Sequence, residues 1–535
     1  MTKQFNRWFL TALLFFLMVI SVSQCADKES SKEADQSNSV PRRGGTFNFS
    51  LEQRVILDPH SVEDIYSASV TNQIFEGLVE FDINSRPMPG IAESWVISDD
   101  RLEYRFRIRE SVKFHNGKRV NSGDVIYSLQ RLIASDTPGR LAAYNFLKKI
   151  KGAVEYHERK SGKITGLNAP DENTIVITLS EPYPIFLMVL AMDQVKIIPK
   201  DNIIYKDRSG NWRNLIGTGA FKVEENDENG NLELYANAEY YRGRPYLDKI
   251  SYWAENDLDD EESLDMFLRG ERHMVSIYPD SSTLSKLGSN YTLLTRPELS
   301  MEYIGFNLLS TPLNYVEVRM GLLIGLTAGI HGIVWQGLDI AAEGIVPPGM
   351  IGYAPRTRPD PKVTIEELAA EFRKKVTKSD MTLDFWSTDT MGTAKMAMIL
   401  KEFNTELAVH ETSWEILNEK IVNGEADLWS ISWVADTPDA SSFIRSLFHS
   451  KSMSNNFHYS NKDVDRLIEE SEKELNDNLR SKIIREIEDI ILSEVPLIPI
   501  ANYVSAYALQ PNVRGLQLSQ LDISSVKLRD VWLSD

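Results

Sequence analysis

The sequence predicts a mixed α/β fold built in more than one lobe, on three observations. The chain has 535 residues, more than one ordinary core holds and enough for two or three. Hydrophobic residues make up 42 % and charged residues 25 %, the balance of a globular protein. Two-residue and 3.6-residue apolar periodicities alternate along the chain, with no internal repeat of about 20–50 residues.

Gly44-Gly45 opens the ordered part. Phe47, Phe49 and Leu51 alternate with Thr46, Asn48 and Ser50, the period of a half-buried strand that Leu57-Asp58-Pro59 stops. Residues 66–79 read as a helix ending near Gly77, with Val70, Ile74 and Leu78 at four-residue steps. A hairpin is expected next. Tyr104, Phe106 and Ile108 alternate with Arg105, Arg107 and Arg109, and Val112 to His115 run into Asn116-Gly117, a tight-turn dipeptide. Asn121, with Asp124 three residues on, reads as the cap of a helix whose stripe is Val125, Ile126, Leu129, Leu132 and Ile133. Ile175, Ile177 and Leu179 mark a further strand, and residues 232–236 another. Residues 463–475 and 478–494 carry helical periodicity, after which Pro496 and Pro499 are expected to break the chain before a strand at 500–507.

Lys plus Arg (58) against Asp plus Glu (77) gives a formal charge of -19, which repels phosphate backbones and argues against a nucleic-acid partner. One cysteine, Cys25, allows neither an internal disulfide nor a thiolate metal cluster. The eight histidines show no HExxH spacing, so no metal site and no cofactor are expected. Gly217-Thr218-Gly219 lacks the Gly-Lys-Ser/Thr ending of a phosphate loop and reads as a tight turn. The acidic run 257–262 lacks the EF-hand pattern and reads as a solvated loop. With no Gly-x-Ser-x-Gly elbow there is no nucleophile for hydrolysis, and an enzyme is not expected.

The N-terminus carries an address. Lys3 and Arg7 precede an apolar run at 8–20, followed by Ser21-Val22-Ser23-Gln24-Cys25. This resembles a bacterial lipobox, which implies a signal peptide at 1–24 and lipidation of Cys25. Gln24 and Val22 depart from the commoner residues, and an ordinary secretory signal is the alternative. Residues 25–43 are polar and charged, with no large aromatic side chain, and are expected to act as a flexible, lipid-anchored tether.

A run of segments in fixed order carries a wider resemblance. They include LDPH (57–60), QIFEGLV (73–79), PGIAESW (89–95), YRFRIRESVKFHNGK (104–118) and SGDVIYSLQR (122–131). IGTGAFKV (216–223), NAEYYRGRPYLDKI (237–250), YIGFN (303–307), VPPGMIGY (346–353), WVADTPD (433–439) and NNFHYSNKDVDRLI (455–468) follow. Together they resemble the extracellular solute-binding proteins of family 5, whose members include periplasmic oligopeptide- and dipeptide-binding proteins. Two stretches depart from that pattern. Arg319 is followed by a Gly-rich run at 321–332, and Ala435-Asp436-Thr437-Pro438-Asp439-Ala440 stands where peptide binders often read A-D-Y-x-x-P.

The resemblance implies a two-lobed, hinged periplasmic-binding-protein fold of the large class. Lobe I would be residues 44–302 plus 500–535, with 65–200 as an extra subdomain, and lobe II residues 303–499, the chain crossing the hinge near 301–307 and 499–503. By the same resemblance Asp436 would take a ligand ammonium, although a turn or helix cap is its alternative role. Trp433 is a pocket wall or core, Glu63 a pocket acid or a solvated carboxylate, and Tyr303 and Asn307 hinge contacts to ligand or structural residues. The expected function is capture of peptides, without chemistry, and delivery to the permease of an ABC importer by a monomer at the periplasm or cell surface. A non-peptide solute on the same fold (a nickel chelate, haem or an oligosaccharide) is the alternative, and a surface lipoprotein for adhesion or sensing is another.

Overall fold

The computed structural model describes residues 40–535 apart from positions 52, 63, 136–140, 201, 228, 255–258, 278–280, 335–339, 351, 354, 357–361, 377–380, 389–391 and 522. The expected signal peptide, Cys25, the tether as far as residue 39, and Glu63 lie outside the described residues. No described helix is long and apolar enough to cross a membrane.

Three sheets organise the chain from Arg43 to Leu533. In the first, Thr46–Leu51 pairs in parallel with Lys249–Ala254, which is followed outward by Leu232–Ala236 and Phe221–Asn226. The alternation seen in the sequence holds there, since Phe47, Phe49 and Leu51 are buried in one core and their neighbours are only half-buried. The second sheet runs in the order Ala92–Ile97, Glu103–Ile108, Thr174–Thr178, Leu167–Asp171 over a separate core. The third is mixed and six-stranded: Ile340–Ala341, Leu497–Asn502, Ser300–Phe306, Leu428–Val434, Met381–Ser387 and Thr405–Glu411. Helices on its two faces close two further cores.

A small three-stranded sheet, Met274–Ser276, Val504–Leu509 and Thr292–Pro297, joins the first sheet's side to the third. The chain leaves it at 297–300, re-enters it at 502–504, and the two crossings touch. Glu298 N–H donates to Tyr503 O at 2.9 Å, and Asn502 Nδ2–H to Ser300 O at 2.7 Å.

Several local expectations change. The helix at 66–79 is Ile65–Ile74, capped by Asp64, because Val79 enters a strand of its own. Glu103–Ile108 forms no hairpin with 112–115. It pairs instead with Ala92–Ile97 and Thr174–Thr178, while Asn116-Gly117 closes a turn with one bridge between Lys113 and Arg119. The capping box of Asn121 and Asp124 is present. Pro499 does not break the chain. It stands inside Leu497–Asn502 opposite Tyr303 at a register shift, where a missing N–H is tolerated. Of the acidic run, Asp259 caps the helix Asp260–Leu268 and three acids lie in its first turn, where they favour the helix dipole. The Gly-rich run after Arg319 lies within one helix, Val316–Val334.

Gly217-Thr218-Gly219 is a point of close backbone approach. A Cβ on Gly217 would lie 1.9 Å from Ile74 O, and one on Gly219 2.3 Å from Gln73 O. His115 clamps this turn: Gly217 N–H donates to Nδ1 at 3.3 Å and Nε2–H donates to Gly219 O at 3.0 Å.

Candidate functional site

A cavity of about 590 Å³ opens beside the six-stranded sheet, a size ordinary for a small-ligand site. One part of its lining is Asp64, Ile65, Lys148, Lys149, Tyr183 and Asp193, from the body built on the second sheet and the helix beside it. The facing part comes from the third sheet and its helices, with Tyr303, Trp433, Asp436, Arg445 and Glu472.

Asp436 is placed by the turn that carries it. Leu428–Val434 ends two residues earlier, and Ala435 N–H still holds the sheet by donating to Leu299 O at 2.9 Å. On the far side, Thr437 N–H donates to Ser442 Oγ at 3.2 Å and the two hydroxyls lie 2.8 Å apart. Asp439 accepts from Ser441 N–H at 2.9 Å and forms a buried ion pair with Arg480. The residue that serves the helix Ser441–Phe448 is therefore Asp439. The Asp436 carboxylate caps nothing and has no hydrogen bond or ion pair among the described residues.

Its environment raises its proton affinity. Burial, and then the charge of Asp193, push the Asp436 carboxyl up to about 6. Asp193 is itself steadied by Asn72, whose Nδ2–H donates to it at 2.7 Å. An unpaired carboxylate beside a second one is a poor resting arrangement and a good cation seat, because an entering ammonium relieves both desolvation and repulsion.

Trp433 combines the two roles weighed for it. Its ring is partly buried against the core and lines the cavity, and its Nε1–H donates to Ser442 O at 2.8 Å. Tyr303 also reaches the cavity, but only 2 % of it is exposed and its ring packs on Phe457 at 5.6 Å. Asn307 is not among the residues that line the cavity. Its Oδ1 accepts from Leu309 N–H at 3.1 Å, its Nδ2–H donates to Gly424 O at 3.4 Å, and its backbone N–H donates to Asp427 O at 2.9 Å. Those bonds fix the chain as it leaves Ser300–Phe306.

Sequence reasoning missed Asp193, Lys148 and Arg445. Only Asp193 leaves a signal, as an acid that follows directly on the apolar run 184–192. No group of three or more His, Cys, Asp or Glu residues suited to a metal occurs among the described residues.

The cavity is thus lined from two sides, and among the described residues its Asp436 carboxylate has no hydrogen bond or ion pair. The chain belongs to the bacterial extracellular solute-binding proteins, family 5, whose family model matches residues 86–455. It is 25 % identical over 523 residues to the periplasmic oligopeptide-binding protein OppA of Salmonella typhimurium, covering 94 % of each chain. It is 26 % identical over 478 residues to heme-binding protein A of Haemophilus influenzae, covering 84 % of this chain and 85 % of that one. Among solved structures, the periplasmic binding protein DppA of Helicobacter pylori in complex with the peptide STSA superposes with a TM-score of 0.78 at 20 % identity, covering 92 % of this chain and 99 % of that one. Haemophilus influenzae OppA in complex with RPPGFSPFR gives 0.76 at 20 % identity, covering 93 % and 100 %. The fold is thus the two-lobed one of these binding proteins.

Proposed function

We propose that this protein captures short peptides in the cavity and hands them to the permease of an ABC importer, with no bond made or broken. The carrying observation is the unpaired Asp436 beside Asp193, a seat for the ammonium of a peptide N-terminus. The relatives named as oligopeptide-binding proteins, and the peptide-bound neighbours, support the same reading. Haem fits less well, since its propionates add negative charge and bring no ammonium to the carboxylate pair.

In this reading residues 44–302 and 500–535 form one lobe, with 65–200 as its subdomain, and 303–499 the other. The closed form is favoured by a ligand that touches both, because only such a ligand binds the closed state better than the open one. Cys25 anchors the chain by lipid to a membrane at the periplasm or cell surface, and the protein works as a monomer.

Calorimetry with di-, tri- and tetra-alanine, each free and N-acetylated, tests the reading. Free peptides are expected to bind, acetylation to weaken binding at least ~30-fold, and Asp436→Asn to do the same. Equal binding of the free and acetylated forms would remove Asp436 as the ammonium site.

A further inference from the structure

We propose that Lys148 receives the ligand's terminal carboxylate, so that the cavity selects peptides with a free C-terminus. This rests on the peptide reading above and completes it at the other end of the zwitterion.

Among the basic side chains that line the cavity, most are already committed. Lys149 is paired with Glu181 and lies 3.6 Å from Glu472, and Arg445 donates to Glu472 at 3.0 Å. The His449 ring faces Glu469 at 3.5 Å and Asp465 at 3.9 Å. Lys451 is exposed at the margin. Lys148 differs from all of these. It is half-buried, and its ammonium reaches only an amide oxygen, Oδ1 of Asn145, at 3.5 Å. No ion pair satisfies it among the described residues.

The backbone beneath Lys148 is rigid. Its N–H donates to Tyr144 O at 2.9 Å at the end of Leu141–Leu147, and Leu147 and Ile150 on either side are fully buried. Burial lowers the ammonium's proton affinity, and Arg445 and Lys149 push it the same way. Glu472, the carboxylate it does sense, is already shared by those two cations. A half-desolvated cation that faces a cavity with no ion pair of its own is the complement of a carboxylate brought by a ligand. Its location adds a function. Lys148 projects from the second sheet's body and Asp436 from the third sheet, so a peptide engaging both ends spans the two sides and favours closure.

The experiment is calorimetry with di-, tri- and tetra-alanine as free acids and as C-terminal amides. The wild type is expected to prefer at least one acid over its amide by ~tenfold or more. In Lys148→Gln that preference falls to near unity, whereas Lys148→Arg keeps most of it, and the ligand-free melting temperature of both variants stays near wild type. Equal binding of acid and amide by the wild type, or full preference retained in Lys148→Gln, overturns the assignment while the peptide reading stands. If no alanine peptide binds in either form, the peptide reading falls and this assignment falls with it.

Discussion

Arg480 and Asp439 form a doubly hydrogen-bonded ion pair with almost no exposure, Nη2–H donating to Oδ1 at 2.7 Å and Nη1–H to Oδ2. The pair holds Asp436 three residues upstream. It ties the turn after Leu428–Val434 to the helix Asp477–Glu494, so the cavity-lining carboxylate is presented from an anchored loop.

Removing one partner leaves the other charged and buried. Asp439→Ala is expected to cost ~3–5 kcal/mol of stability, read as an earlier denaturant midpoint, and to weaken ligand binding by loosening the turn. An unchanged midpoint would show that Arg480 finds another partner.

The pH response of the site follows from Asp436. Its carboxyl titrates near 6 in the folded protein against 3.8 as the ordinary value. Above pH 6 the group is ionised in both states, and the folded protein carries the burial cost. As pH falls from 6 toward 4 the folded form takes up the proton first, so this group's contribution to ligand-free stability rises. Asp436→Asn is therefore expected to melt higher than wild type at pH 7.5, with the difference shrinking toward pH 4. Ligand affinity should move the opposite way, falling as pH drops through about 6, and binding near pH 6 should release protons, as titrations in buffers of different ionisation enthalpy would detect.

Two sides of the cavity meet in an electrostatic seam. Lys149 and Glu181 on one side alternate with Glu472 and Lys473 on the other, with Lys149 3.6 Å from Glu472 and Lys473 3.3 Å from Glu181. Glu181 is partly exposed, so Glu181→Gln should weaken ligand affinity only ~two- to fivefold, mostly through faster dissociation, and added salt should narrow the gap. Stopped-flow dissociation rates check this.

Gly217→Ala tests the packing of the loop that His115 clamps. With Ile74 O 1.9 Å from the new methyl, the backbones must part, and a loss of roughly 1–3 kcal/mol or more is expected. Thermal unfolding at pH 7.5, well above the value of about 4 at which the buried His115 would protonate, isolates the steric effect.

What could be read from the chain was local or carried by ordered motifs. The Phe47, Phe49, Leu51 alternation and the Asn121–Asp124 capping box are set by near neighbours and appear as expected. The hairpin reading of 104–115 failed because Glu103–Ile108 found a partner far downstream in Thr174–Thr178, and no local turn signal reports such a choice. At the cavity, the W-x-A-D motif led to Trp433 and Asp436. Lys148 and Asp193 were invisible as a set, since they share a cavity with Asp436 only after the second and third sheets have packed. For Asn307 the sequence left a ligand contact and a structural role side by side. Its place in the strand run pointed to the cleft, whereas its amide serves the loop at Gly424.

The three-stranded sheet has a consequence for biosynthesis. Its central strand, Val504–Leu509, is made long after the strands it joins, Met274–Ser276 and Thr292–Pro297. A nascent chain halted short of residue 504 holds those two edges apart with unpaired backbone, so this body cannot mature vectorially from its N-terminus.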